Sequence, residues 1–547
     1  MKKLLSKEFF SPKLLTFFLI LPLCLGLGAT NVSAKFIKGA EVHEYTDKNA
    51  IYGGTYRWVM EIPPRSLDPQ HGTGSYSAVI SNIVYNGLVR FDQFVDKYEP
   101  DLAESWRQID DRTYEFKLHK GVRFHDKPPV NGREMTSADV KYSFDHMVGL
   151  VGKKGKAKRK FFFVGKLESV ETPDKYTVII KTNKPYATIM NYIAAIWFSI
   201  IPREAIEEWG DLRANAVGTG PFMMTEYVKG SHINFVKHEK YFKKGKPYLD
   251  GSNCKLIRTP ASRLAAFLAG KLDSFGPQPQ QVPTVLKEDP DSTVYELPGF
   301  YTRLLRTSPW IENKIPLEPP FDSRKVRQAI AHSIDKGRLL RIAWQDKGLV
   351  SVGMIPDAYK PWSLPASDQW EYNPEKAKKL LAEAGYPNGF SCELMTWNAT
   401  YMTGPAQVIQ DMLKKTGINV TINALEFSQY FNKAYRFKYD MALHITTAAF
   451  EPEEWLVPYF GQLKSSTYYK WSDHKLWDMI DKQQHIMDRQ KRVAYVQDIQ
   501  KYAMNEAMSQ ALFTTTRYGA YKPYVHRKIF LHESQAAMAE YTWMERH

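Results

Sequence analysis

The chain has 547 residues, of which 14% are aromatic, and a formal net charge of +15 at pH 7. This length predicts two or three domains. The spacing of its 3 cysteines excludes a cysteine-based metal site. The basic charge allows a nucleic acid or another acidic partner, or simply favours solubility.

The first 34 residues have the pattern of a secretory signal peptide. Lysines precede an apolar run from Leu14 to Gly28, and small residues end at Ala34, after which we predict cleavage. A lipid anchor at Cys24 is the less favoured alternative, because the bulky Leu23 is a poor residue before a lipidated cysteine. Removing 34 of 547 residues leaves 513. Export from the cytoplasm argues against nucleic acid as the partner, and no later stretch is long and apolar enough to span a bilayer.

The elements of the first half alternate between strands and capped helices. A strand is predicted over Gly53–Glu61, followed by a proline-rich loop, Gly72–Tyr76 and a helix. Residues 113–118 alternate apolar and polar side chains, which predicts a strand with one dry face. Thr136 and Asp139 form a capping box that opens a helix. The basic run 153–160 is typical of a solvated loop.

The second half predicts a parallel α/β lobe. Asn373 can cap a helix that ends at Gly385. The order that follows is a strand over Phe390–Thr396, a helix over Ala406–Lys415 and a strand over Asn419–Leu425. A last long helix is predicted over residues 489–505. Cys254 and Cys392 lie far apart in sequence, so we expect two buried free thiols rather than a disulfide.

No catalytic motif is present. The chain lacks Gly-x-Ser-x-Gly, a second histidine beside His238-Glu239 and a phosphate-binding Gly-Lys-Ser/Thr loop. The acidic pair Glu453-Glu454 is typical of solvated turn residues. We therefore predict a non-catalytic binding protein without cofactor or metal. A secreted hydrolase that uses dispersed residues is the alternative.

Several motifs resemble one known family. The runs GGTYR from Gly53, LAESW from Leu102, TSADVKYSF from Thr136, GTGPF from Gly218 and YNPEKAKKLLAEAGY from Tyr372 occur in the order seen there. Together they resemble the extracellular solute-binding proteins of family 5, which deliver peptides and other solutes to ABC importers.

The resemblance implies an α/β fold of the periplasmic-binding-protein type. We expect a type II clamshell of two lobes with mixed central sheets and an extra small domain. The expected boundaries assign residues 35–84, 214–298 and 509–547 to lobe I, 85–213 to the small domain and 299–508 to lobe II. The implied partners are a peptide or small-molecule ligand and the permease and ATPase complex of the inner membrane. The protein is expected to be a periplasmic monomer that does not bind nucleic acid.

Candidate binding residues follow from position in this fold. Peptide-binding members share a loop Asp-x-x-Asp-Pro-x-x-Phe, whose first aspartate binds the peptide ammonium; here that position is Ala448. This departure counts against a free-amine peptide held in the usual way, although Glu451 can replace the lost carboxylate if the loop shifts. We expect a peptide or peptide-like solute, with a sugar or an opine-like solute as the alternative. Arg303 can bind a ligand carboxylate, but can also be a surface or hinge charge. The aromatic candidates can equally be core residues. The candidates are Gly74, Ser75, Tyr76, Tyr301, Thr302, Arg303, Trp397, Asn398, Phe450, Glu451 and Trp455.

Overall fold

The computed structural model describes residues 35–38, 47–72, 74–92, 97–152, 160–299, 301–446, 449, 451–462, 469, 471–530 and 539–545. The predicted signal peptide with Cys24, most of the basic run, Ala448 and Phe450 lie outside these residues. None of the helices in the described ranges is both long and apolar enough to cross a membrane.

The described helices and strands alternate along the whole chain. The helices are α1 Ser75–Val84, α2 Ser137–Val148, α3 Ile189–Ala194, α4 Arg203–Trp209, α5 Pro260–Leu268, α6 Val282–Glu288, α7 Arg324–His332, α8 Lys336–Trp344, α9 Pro374–Glu383, α10 Thr400–Lys414, α11 Phe427–Tyr435, α12 Glu453–Phe460, α13 His474–Gln483 and α14 Arg489–Asn505. The strands are β1 Lys35–Lys38, β2 Thr55–Met60, β3 Val89–Phe91, β4 Tyr98–Pro100, β5 Ala103–Gln108, β6 Thr113–Leu118, β7 Leu167–Asp174, β8 Thr177–Thr182, β9 Phe222–Val228, β10 His232–Lys237, β11 Gly251–Leu256, β12 Ser274–Phe275, β13 Thr293–Leu297, β14 Thr302–Thr307, β15 Gly348–Val350, β16 Phe390–Trp397, β17 Ile418–Leu425, β18 Met441–Ile445, β19 Ser509–Thr515, β20 Arg517–Tyr521, β21 Val525–Arg527 and β22 Thr542–Met544.

Lobe I contains two four-stranded sheets. One has the order β2-β11-β10-β9, with β2 parallel to β11, and the other has the order β1-β13-β20-β12. A small hydrophobic cluster on the second sheet packs Phe267 of α5 against Phe275 of β12. Helix α5 begins at Pro260, because the hydroxyl of Thr259 accepts from the backbone N–H of Ser262 and Pro260 suits the first turn.

The small domain is built on an antiparallel sheet of order β5-β6-β8-β7. Strand β6 buries Tyr114, Phe116 and Leu118, as its alternation predicts. The predicted capping box of Thr136 and Asp139 opens α2, and the helix ends at Gly149 with φ 85°. One continuous hydrophobic core runs from this domain into lobe I, so the two behave as one packed body.

The GTGPF motif from Gly218, one of the motifs that carry the family resemblance, is fixed inside this body by His125 and Val84. The backbone N–H of His125 donates to the carbonyl of Gly218 over 2.8 Å, and its Nε2 lies 3.0 Å from the carbonyl oxygen of Gly220. Gly220 also donates its N–H to the carbonyl of Val84 over 2.9 Å. A Cβ on Gly220 would lie 2.4 Å from the carbonyl carbon of Val84, so only glycine permits this approach. The GTGPF motif therefore holds the scaffold together.

Lobe II is organised around a six-stranded mixed sheet of order β15-β19-β14-β18-β16-β17. Strands β16 and β17 run parallel with α10 between them in the chain, as predicted. Separate hydrophobic clusters contain residues such as Leu305 and Leu304, neighbours on β14 whose side chains point to opposite faces. The cap at Asn373 is formed as predicted. Asp488 caps α14 by accepting from the backbone N–H of Lys491.

Two details differ from the boundaries expected from sequence. Strand β19, Ser509–Thr515, pairs with β14 and β15 inside the six-stranded sheet, whereas the expected partition begins lobe I at residue 509. Strand β20, from Arg517, pairs with β13 of lobe I, which places the return crossing at Thr516.

Cys254 in β11 and Cys392 in β16 are free thiols, the first buried and the second half-buried, and burial raises the pKa of both.

Candidate functional site

The candidate site lies at one edge of the six-stranded sheet. The parallel strands β16, β17 and β18 end at this edge, at Trp397, Leu425 and Ile445. Strand β14 runs in the opposite direction and begins there at Thr302, across from the end of β19. Ligands of open α/β sheets bind outside the carboxyl ends of the strands, so this edge is where a solute is expected.

The first loop of lobe I meets the crossover to lobe II at this edge. The hydroxyls of Ser75 and Tyr301 form a hydrogen bond of 2.5 Å. Gly74, just before α1, has φ +123°, and a Cβ there would meet nothing within 4 Å. Tyr76 is half-buried and packs against the core of lobe I. The structure thus brings the predicted loop and Tyr301 together.

Thr302 and Arg303 begin β14 on opposite faces of the sheet. Thr302 is buried; its N–H donates to the hydroxyl of Thr446 over 2.8 Å, and its own hydroxyl donates to the carbonyl of Met354. These contacts fix the crossover to the end of β18, which is a positioning role.

Arg303 is the buried cation of the site. Its side chain donates from Nη1 to the hydroxyl of Thr515 over 3.3 Å, and the residue is 5% exposed. The guanidinium carbon lies 4.9 Å from the ring centroid of Trp344 and 5.2 Å from that of Phe513. No carboxylate among the described residues forms an ion pair with it, and burial lowers its pKa to about 9. A buried cation without an anion is costly, so this position favours a ligand carboxylate.

Trp397 and Asn398 follow the end of β16. The indole of Trp397 is 5% exposed and donates to the hydroxyl of Tyr401 over 3.2 Å. Its ring packs edge-on against Tyr430 and Phe427. Asn398 is exposed. Tyr401, which sequence reasoning did not single out, is 43% exposed and accepts the hydrogen bond from Trp397.

Glu451 and Trp455 lie in the loop and helix after β18, and both are buried. Glu451 accepts hydrogen bonds from Arg492 of α14 and from the amide of Asn191 in the small domain, and burial raises its pKa. Trp455 is fully buried, with its ring centroid 4.7 Å from that of Tyr359 in a lobe II core. Glu451 is therefore engaged within the protein, and Trp455 packs as a core residue.

Sequence reasoning missed an ion pair between the small domain and lobe II. Glu453, the first residue of α12, is fully buried and accepts from Lys166 and Thr188, each over 2.8 Å, and from Tyr186. The expectation that Glu453 is solvated is wrong, because the small domain covers this helix end and supplies three donors. The hydroxyls and the lysine lie far from Glu453 in sequence, so no local pattern could reveal the contact.

Glu453 is not the only link between these two parts of the protein. The N–H of Ala187 donates to the carbonyl of Gln484 over 2.8 Å, and Nδ1 of His485 lies 2.6 Å from the carbonyl oxygen of Pro185. The small domain therefore touches lobe II along the loop after α13 as well. Within the described residues, no group of acidic, histidine and cysteine side chains is arranged to hold a metal ion.

Comparison with known proteins assigns the family. Residues 97–467 match the model of the bacterial extracellular solute-binding proteins, family 5. The chain belongs to this family. Members are solute-binding proteins.

Individual relatives agree with this assignment. Heme-binding protein A of Haemophilus influenzae is 28% identical over 499 residues, covering 84% of this chain and 87% of the relative. The dipeptide-binding protein of Escherichia coli is 27% identical over 484 residues, covering 84% and 89%. Among solved structures, AgaA from A. tumefacien R10 in complex with agropinic acid has a TM-score of 0.75 and 26% identity, covering 90% of this chain and 99% of that one.

Proposed function

We propose that this protein is the exported receptor of an ABC importer, which captures a carboxylate-bearing peptide-like or opine-like solute between its lobes and delivers it unaltered to the membrane permease. The observation that carries the proposal is Arg303, a buried guanidinium without a described carboxylate partner at the edge where the lobes meet. A carboxylate placed there would form charge-assisted hydrogen bonds, which are among the stronger contacts available to a solute.

The acidic residues that would bind a ligand ammonium are either replaced or already engaged in this site. Ala448 occupies the position of the clamping aspartate, and Glu451 is already bound to Arg492 and Asn191. Moving Glu451 to a ligand would leave Arg492 without its buried partner, which is unfavourable. These features favour a solute recognised by its carboxylate rather than by a free amine. A solved structure of similar fold, AgaA, is in complex with agropinic acid.

A free peptide is the second candidate solute. It is favoured by the similarity to the dipeptide-binding protein of Escherichia coli over most of both chains. In that case Arg303 would bind the terminal carboxylate, and the ammonium would rely on neutral acceptors.

The remaining candidates have distinct roles in this proposal. Gly74, Ser75 and Asn398 offer exposed or half-exposed polar contacts, Tyr301 joins the lobes, and Tyr401 adds an aromatic wall. Trp397 positions Tyr401 by donating a hydrogen bond to its hydroxyl. Phe450 stays a predicted contact, and Glu451 and Trp455 shape the loop without touching the solute.

The assignment to the cell envelope rests on the predicted signal peptide. The proposal places the mature protein in the periplasm after cleavage behind Ala34, with lipidation of Cys24 as the less favoured alternative. A monomer with residues 35–84, 214–298 and 516–547 in lobe I, 85–213 in the small domain and 299–515 in lobe II completes it. No catalytic role is proposed, and a secreted hydrolase is the alternative that the experiment must separate.

Native mass spectrometry of the purified mature chain tests the proposal. We expect one co-purified solute carrying a carboxylate, which leaves on denaturation with its mass unchanged after long incubation. Ligand-induced thermal stabilisation by that solute should follow mass action. Recovery of a chemically altered product would instead establish an enzyme, and binding that is insensitive to Arg303→Met would remove the proposed role of that residue.

A further inference from the structure

Lobe I contains a cavity that the cleft edge does not include. It lies between α1, β2 and the sheet that contains β13 and β20, and its volume is about 170 Å³. Cavities of this size accommodate a single aromatic ring, since an apolar cavity of roughly 150 Å³ binds benzene. Its walls include Tyr56, Trp58, Val79, Ile83, Tyr295 and Arg527.

Glycine keeps this space and its aromatic wall in place. A Cβ on Gly519 would lie 2.0 Å from the ring of Tyr295, so the absence of a side chain lets that ring cross β20. The indole N–H of Trp58 donates to Ser252 over 2.8 Å, which leaves its ring as an apolar surface. The result is a chamber lined by rings and aliphatic side chains on most sides.

One end of the chamber is polar. Nη1 of Arg527 donates to the hydroxyl of Tyr56 over 2.9 Å, and that hydroxyl also bonds to Ser274. A guanidinium at the end of an aromatic chamber suits a ligand group that combines a ring with an anionic or hydrogen-bond-accepting substituent.

The chamber lies close to the cleft. Val79 follows Ser75 by four residues on α1, so it lies on the same helix face and about 6 Å further along the axis. Ser75 itself bonds to Tyr301 at the crossover between the lobes. A group attached to a solute in the cleft could therefore enter the chamber from the first turn of α1.

We infer that this chamber is a second subsite, which takes a ring-sized apolar group bearing a carboxylate or similar acceptor. The inference rests on the proposed function in one respect, because it makes the chamber the lobe I end of the solute site. It thereby names the solute class: a molecule with an aryl or compact branched alkyl group.

The test uses 3-phenylpropionate as the probe and the full mature chain as the protein. Titration calorimetry is carried out on the wild type, Val79→Phe, which fills the chamber, and Val236→Phe, which adds the same ring at an exposed valine of β10. We expect Val79→Phe to weaken probe binding at least tenfold, Val236→Phe to leave it unchanged, and acetate not to compete.

The same titrations in an Arg303→Met background remove binding of the probe carboxylate at the cleft. Crystals soaked with 3-(4-bromophenyl)propionate supply an independent reading, with the bromine anomalous peak expected between Val79 and Tyr295. Equal affinities in wild type and Val79→Phe, or a bromine peak elsewhere, would overturn the inference. The crystal decides if Val79→Phe does not fold.

Failure of this inference is separable from failure of the proposed function. Probe binding in the chamber without any solute bound by the cleft would leave the subsite and remove the receptor role. A native solute that depends on Arg303, together with an empty chamber, would leave the receptor and remove the subsite.

Discussion

Two buried charged groups on lobe II, Glu453 and Arg303, differ in how their charge is compensated. Glu453 accepts from one lysine and two hydroxyls of the small domain. Within the described part of the chain, Arg303 donates one hydrogen bond, to Thr515, and its guanidinium lies over the rings of Trp344 and Phe513. Burial of a charge is tolerated only with compensation. The first group has its partners within the protein, and for the second we propose a partner carried by the solute. The comparison separates the contacts of Glu453, which join the small domain to lobe II, from the contact that we propose for the solute.

Truncation of the Glu453 side chain should have the largest effect on the free energy of unfolding. Glu453→Ala leaves Lys166 without its anion, and we expect the folded protein to lose roughly 3 kcal/mol, the low end for buried pairs, because the lysine side chain is 23% exposed. Urea unfolding measures the loss, and small-angle scattering should show a larger radius of gyration. Glu375→Ala is the control, since that side chain is 81% exposed and its removal should change stability by less than about 0.5 kcal/mol. Equal stability of the two variants would contradict the comparison.

Replacement of Arg303 should not destabilise the ligand-free protein, in contrast to the replacement of Glu453. Arg303→Met takes away a buried charge without orphaning a described carboxylate, so we expect the empty chain to be at least as stable as the wild type. Solute affinity should fall by the worth of a charge-assisted hydrogen bond, roughly 1.5–3 kcal/mol. Calorimetry with the co-purified solute measures the affinity. Arg338→Met, at an exposed arginine, should bind normally; a loss of stability in Arg303→Met would mean that the protein itself compensates the charge.

The buried side chain of His125 should make the stability of the protein depend on pH. His125 is fully buried, and burial lowers its pKa from 6.5 to about 3. The unfolded chain therefore binds more protons between these values, and stability falls as pH drops below 6.5, by up to about 1.4 kcal/mol per pH unit. Unfolding should be measured in urea from pH 7 to pH 4. The stability gap between wild type and His125→Gln should narrow over this range; a constant gap would show that His125 does not titrate as stated.

The smallest expected effect is at the hydrogen bond between Ser75 and Tyr301. Its partners stay near solvent, so Ser75→Ala should reduce solute affinity by about 1 kcal/mol and leave the unfolding midpoint nearly unchanged. Tyr301→Phe removes the same bond from the other side and should give a similar loss. A change in affinity for only one of the two variants would show that the bond is not shared between the lobes.

Local sequence patterns predicted the elements well and the site only in part. The alternation of Tyr114, Phe116 and Leu118 and the capping box at Thr136 depend on neighbours in the chain, and both are formed as predicted. The burial of Glu453 depends on donors nearly three hundred residues away, which no window of sequence reveals. Trp455 illustrates the same difficulty, because an aromatic residue after a binding loop can face either the solute or the core, and here it packs on Tyr359.

The close approach of Gly218 and Gly220 to His125 and the end of α1 has a consequence for how the family can diverge. The GTGPF motif, which helps to identify the family, belongs to the scaffold, whereas the groups proposed to select the solute lie on other loops. During evolution, proteins of this family can therefore change which solute they bind without changing the motif that identifies the family.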